Sequence, residues 1–127
     1  MLKIEQQNPV SACLNNLRED LGCDVVFLLN PQSGVVSAST TILNKEHETS
    51  MMALVIPYIM MNHRVMILRD NGPVPGVLRH EMPGYCYYLG YGSNSWVVVA
   101  LSMGRLMIGL MQNTMLQCLS CLNDLLG

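Results

Sequence analysis

Residues 51–61, Met-Met-Ala-Leu-Val-Ile-Pro-Tyr-Ile-Met-Met, hold no charged side chain and no strongly polar one. A helix through such a stretch is apolar on every side, so every side has to be covered. A chain of 127 residues builds one core and has too few layers to bury both faces of a helix this early in its topology. The uncovered face is therefore expected to meet a second copy or a partner. Pro57 complicates the run: it removes a backbone donor and crowds the carbonyl of Ala53, so the helix should kink or end there. Residues 64–68 then have an alternative reading as a strand. The run is also far short of the roughly 20 residues that cross a bilayer, so no membrane span is expected.

The flanking segments alternate between helix and strand signals. Asn8-Pro9 reads as an N-cap with Pro at the first helical position. Val10, Cys13, Leu14, Leu17 and Leu21 follow at steps of three and four, and Gly22 suits a left-handed cap. Residues 23–29 and 35–38 are strand-like and are separated by Asn30-Pro31-Gln32-Ser33-Gly34, a turn sequence. Asn44 can cap the middle helix from about Lys45 onward. Beyond the breaker-rich residues 71–76 come three strand-like runs, 77–82, 85–91 and 95–101, joined by Pro83-Gly84 and Gly92-Ser93-Asn94. Such short turns make the three runs antiparallel neighbours, with Val97, Val98 and Val99 in the most central one. A last helix over about 105–126 can line one side with Leu106, Leu110, Met115, Leu119, Leu122 and Leu126.

This order predicts a single α/β (α+β) domain over 1–127, with a five-stranded, mostly antiparallel sheet and helices packed on it. Charge narrows its partners. Seven Lys and Arg in total and a net charge of −2 leave no basic cluster to neutralise phosphates, so nucleic acid is excluded as a partner. The start lacks the apolar stretch of a secretory signal, and five cysteines is an odd count for a disulfide framework. Both point to a cytoplasmic protein with reduced thiols.

The order helix, two strands, helix, three strands, helix resembles the roadblock family, the dynein light-chain type of regulatory domain, over nearly the whole chain. The resemblance is carried by residues 23–39, a hairpin with a Gly-containing turn, and by 96–112. In the second segment an apolar strand leads through a short polar step into Leu106-Met107-Ile108-Gly109-Leu110-Met111 and the final helix. Pro57 and the Met-rich, Ala-poor middle helix depart from the family pattern. The resemblance implies a roadblock/profilin-like α-β-β-α-β-β-β-α domain. It also implies a homodimer, or a dimer with a similar subunit, whose middle helices pack together and whose third strands pair at the sheet edge, and which regulates or scaffolds a small GTPase or a motor.

No chemistry competes with that expectation. Cys118-Leu119-Ser120-Cys121 is a single C-x-x-C near a helix C-terminus. It has no second ligand pair for zinc and no helix N-terminus to acidify a thiol, so both cysteines are expected to be reduced, metal-free and buried. Gly90-Tyr91-Gly92 lies between strands and matches no phosphate-binding loop. No catalytic residue, metal site or cofactor is expected. The expected dimer interface comprises Met51, Met52, Val55, Tyr58 and Ile59 of the middle helix with Val77, Leu78, Arg79, His80 and Glu81 of an edge strand. His63 and Arg64 are left free to touch a partner. Two other functions fit the composition: a small-ligand sensory domain, which needs buried polar groups on a sheet face, and a dimeric assembly or secretion chaperone.

Overall fold

The computed structural model describes residues 2–70, 76–82, 85–91, 96–102 and 108–126, with the backbone alone described at 67, 69, 70, 76–82, 85–89, 91 and 108–111. The chain runs α1 (Ile4–Leu21), β1 (Val25–Leu29), β2 (Val36–Thr41), α2 (Lys45–Asp70), β3 (Gly76–Met82), β4 (Tyr85–Tyr91), β5 (Val97–Ser102) and α3 (Ile108–Leu126). This is a mixed α/β domain. Its sheet has the order β2-β1-β5-β4-β3, with every neighbouring pair antiparallel. The Val97–Val99 segment lies in the central strand, and β2 and β3 are the two edges. The expected start of the last helix at 105, the loop 71–75 and the turns at 83–84 and 92–95 lie outside the described residues.

The two central strands explain the architecture. All five residues of β1 and all six of β5 are buried, which happens only when a sheet is covered on both faces. Side chains alternate between the faces. Val26, Leu28, Val98 and Ala100 join Val10, Leu14, Leu17, Met115, Leu119 and Leu122, so α1 and α3 cover one face. Val25, Phe27, Leu29, Val97, Val99 and Leu101 join Met51, Val55 and Ile59, so α2 covers the other. Gly90 of β4 is buried under α3, where an added Cβ would come within 2.8 Å of the Met115 sulfur.

β2 serves both layers because its register shifts opposite Leu28/Leu29. One extra residue reverses which face a side chain meets. Val36 accordingly packs with the α2 core, while Ala38 packs with the α1/α3 core. Beyond the shift, Thr40 is bonded by Arg18 Nε at 3.0 Å and donates to Asn15 Oδ1 at 2.9 Å, both on α1. The Ser39 hydroxyl, pointing the other way, donates to Glu48 of α2 at 3.2 Å.

Two helix boundaries differ from the sequence expectation. α1 starts at Ile4 with Lys3 as its N-cap, one and a half turns before Asn8-Pro9. The Gln6 side chain accepts the Lys3 N–H at 3.0 Å and donates to the Leu125 carbonyl at 3.2 Å. That tie to the end of α3, with Leu2 packed on the α1/α3 core, holds a turn that Pro9 by itself would have ended. The helix closes as expected, on Gly22 at φ 65°.

In the second case, α2 neither ends at Pro57 nor gives way to a strand at 64–68, but continues to Asp70. Pro57 and Ala53 are both exposed, so the carbonyl deprived of its donor lies where water can replace it. The packed side of the helix runs on undisturbed through Val55, Ile59 and His63. Asn44 caps this helix as expected, its side chain accepting the His47 N–H at 2.8 Å.

Candidate interaction surface

α2 carries two apolar sides, and the structure separates them. Met51, Val55 and Ile59 face the sheet, with Val55 and Ile59 at 0% exposure, and Met52 packs partly against the same core. Met51, Val55 and Ile59 of the expected interface therefore belong to the chain's own interior and cannot meet a second copy without leaving it, whereas Met52 is half-buried. Tyr58 is on the other side. With Leu54, Met61, Val65 and Leu68 it forms a stripe in which each residue is between 42% and 84% exposed. Their steps of four, three, four and three are those of the seam of a helix pair. Sequence reasoning missed Leu54 and Met61 because residues 51–61 are apolar throughout and the 3.6-residue period is invisible there, and Val65 and Leu68 because the strand alternative at 64–68 takes them out of the helix.

His63, expected at a free helix end, is instead only 2% exposed. It continues the inward-facing side four residues after Ile59, and no hydrogen-bond partner for either ring nitrogen is found among the described residues. Burial holds its imidazole below the usual pKa, which favours the neutral ring. Arg64, one residue on, is exposed as expected.

β3 is an edge strand, paired on one side with β4 in a register that sets Arg79 opposite Tyr88 and Glu81 opposite Cys86. Its other edge offers backbone groups to another chain. The side chains of Val77, Leu78, Arg79, His80 and Glu81 lie outside the described residues.

Of the C-x-x-C pair, Cys118 is buried as expected and Cys121 is exposed. Burial pushes the thiols of Cys23 and Cys118 up to about 12, which suits inert core residues. Among the described residues no cluster of three or more His, Cys, Asp or Glu could hold a metal ion, and no helix is long and apolar enough to cross a membrane.

No protein-family model matches the sequence, and no curated protein matches it. Solved structures do match its shape. Myxococcus xanthus MglB is similar at TM-score 0.79 and 20% identity, over 99% of this chain and 92% of that one. An MglB solved in a tetrameric arrangement is similar at TM-score 0.77 and 12% identity, over 98% of this chain and 93% of that one. A Roadblock/LC7 domain from Streptomyces avermitilis is similar at TM-score 0.70 and 13% identity, over 91% and 96% of the two chains. With between 91% and 99% of this chain inside these matches, the chain has the roadblock fold.

Proposed function

We propose that this chain is a non-catalytic regulatory module that pairs with a second copy or a similar subunit, and that the pair binds or regulates a small GTPase or a motor complex. The observation that carries the pairing is the exposed stripe Leu54, Tyr58, Met61, Val65 and Leu68 on α2. Five large apolar side chains in one row are more than isolated surface residues, and covering them removes apolar area from water at about 25 cal/mol per Å². The edge strand β3 supplies the second element. An antiparallel copy centred on residue 80 puts residue 79 of one chain across from residue 81 of the other, Arg against Glu. The existence of an MglB in a tetrameric arrangement supports self-association in this fold.

The partner class rests on the roadblock resemblance. The groove between α1 and α3, of about 210 Å³, is small beside the roughly 300–1,000 Å³ of typical ligand sites, so this groove by itself does not support the sensory alternative. The test is sedimentation velocity at micromolar concentration on the parent chain and on Leu54→Glu/Met61→Glu, followed by co-sedimentation with a small GTPase in its GTP- and GDP-bound states. A dimer mass that falls to the monomer in the double variant is expected. A monomeric parent overturns the pairing, and no difference between the GTPase-containing and GTPase-free runs overturns the partner class.

A further inference from the structure

Away from α2, on the opposite face of the sheet, three cysteines gather where α1 and α3 lie side by side. Cys13 of α1 is half-buried, Cys118 of α3 is buried and Cys121, one turn further along α3, is exposed. They line one groove of about 210 Å³, whose walls also include Asn16 and Asp20 from α1 and Thr114 from α3. Cys118 is turned inward, its Sγ 3.9 Å from the Cys13 carbonyl oxygen. Cys13 and Cys121 line the same groove, and Cys121 beside it helps to hold the Cys13 thiol up. A half-buried thiol of α1 and an exposed thiol of α3 therefore lie along one groove.

We propose that this groove is a thiol-modification site for small disulfides, in which Cys121 captures the reagent and Cys13 resolves it into an α1–α3 disulfide. The sulfur of Cys121, as thiolate, attacks one sulfur of a low-molecular-weight disulfide; one S–S bond breaks, and the first reagent thiolate leaves and takes up the proton given up by Cys121. The Cys13 thiolate then attacks the Cys121 sulfur and expels the second reagent thiolate, which takes up the Cys13 proton. Two protein thiols are oxidised and one reagent disulfide is reduced to two thiols. Burial and Cys121 hold the Cys13 thiol up to about 11, so the resolving step quickens with rising pH.

The site is independent of the pairing through α2, and it is tested on the reduced full chain incubated with oxidised glutathione. Acid quenching, intact mass and peptide mapping should show a single glutathione adduct on Cys121, followed by a species two hydrogens lighter than the reduced chain. In that species Cys13 and Cys121 are joined within one chain, and the melting temperature rises and returns with dithiothreitol. Cys13→Ser should stop at the adduct, and Cys121→Ser should slow capture at least tenfold. A first adduct on another cysteine, a Cys118–Cys121 link, a link between chains, or no link at all overturns the proposal. The map of the unsubstituted chain decides even if a variant fails to fold.

Discussion

The two sides of α2 are made of the same kinds of residue and do opposite things. Met51, Val55 and Ile59 are sealed against β1 and β5, while Leu54, Tyr58 and Met61, a residue or two away in sequence, stand in water. Hydrophobicity brought both sides into the helix and could not say which would be covered by the chain itself. The covered side is the one that meets Phe27 and Val99 across the sheet. Among the described residues the exposed side meets no such partner, and that asymmetry is what supports the proposed association through it.

Substitution with Glu breaks or sharpens this comparison. Ile59→Glu puts a carboxylate into a closed apolar core where its one polar neighbour along the buried side of α2 is the His63 ring, whose burial favours the neutral form, and should lower stability by about 4 kcal/mol, close to the whole stability of a small domain. Urea denaturation should find the variant largely unfolded. A folded variant that has merely lost its partner would mean that the sheet-facing side is the interface after all. Met61→Glu, two residues away, should leave the subunit within about 0.5 kcal/mol of the parent in the same titration. Its effect should appear in sedimentation, as at least a tenfold weaker association.

Two smaller effects probe how α2 is held. Asn44→Ala removes the acceptor for the His47 N–H and should cost about 1 kcal/mol in thermal or urea unfolding, because continuation through Pro57 leaves the helix dependent on its ends and its packed side. The smallest effect is a pH dependence centred on His63. Its folded-state pKa lies below the ordinary value of about 6.5, so the unfolded chain takes up the proton more readily. Stability from the neutral ring is present above about pH 6.5 and is lost as the pH falls through that value toward the folded-state pKa. His63→Leu should flatten this slope and, with no polar nitrogen left buried, be at least as stable as the parent near neutral pH. Parallel stability curves for the two chains between about pH 7.5 and 5.5 would remove His63 as the cause.

The cysteines repeat the lesson on the other face of the sheet. Cys118 and Cys121 are three apart in sequence and read as one motif, yet one is in the core and the other at the surface. Cys13, more than a hundred residues away, is the thiol they share a groove with. Spacing along a helix shows which residues lie near one another on its surface. It says nothing of the second helix that brings the third sulfur.

Read alone, the sequence determined the order of elements, the antiparallel neighbours made by short turns, the central place of the Val97–Val99 strand, the cap at Asn44 and the left-handed stop at Gly22. All of these are local: they depend on turn length, on backbone φ and on one side chain reaching a few residues along. Tertiary structure alone decided that α1 reaches back to Ile4, because the bond from Gln6 to Leu125 spans nearly the whole chain. It also decided that α2 survives Pro57, because the orphaned carbonyl falls on the exposed side. Likewise, only packing could choose which half of an all-apolar helix is buried. Burial is a property of the partner surface as much as of the residue, and the partner surface here is a sheet assembled from strands before and after the helix.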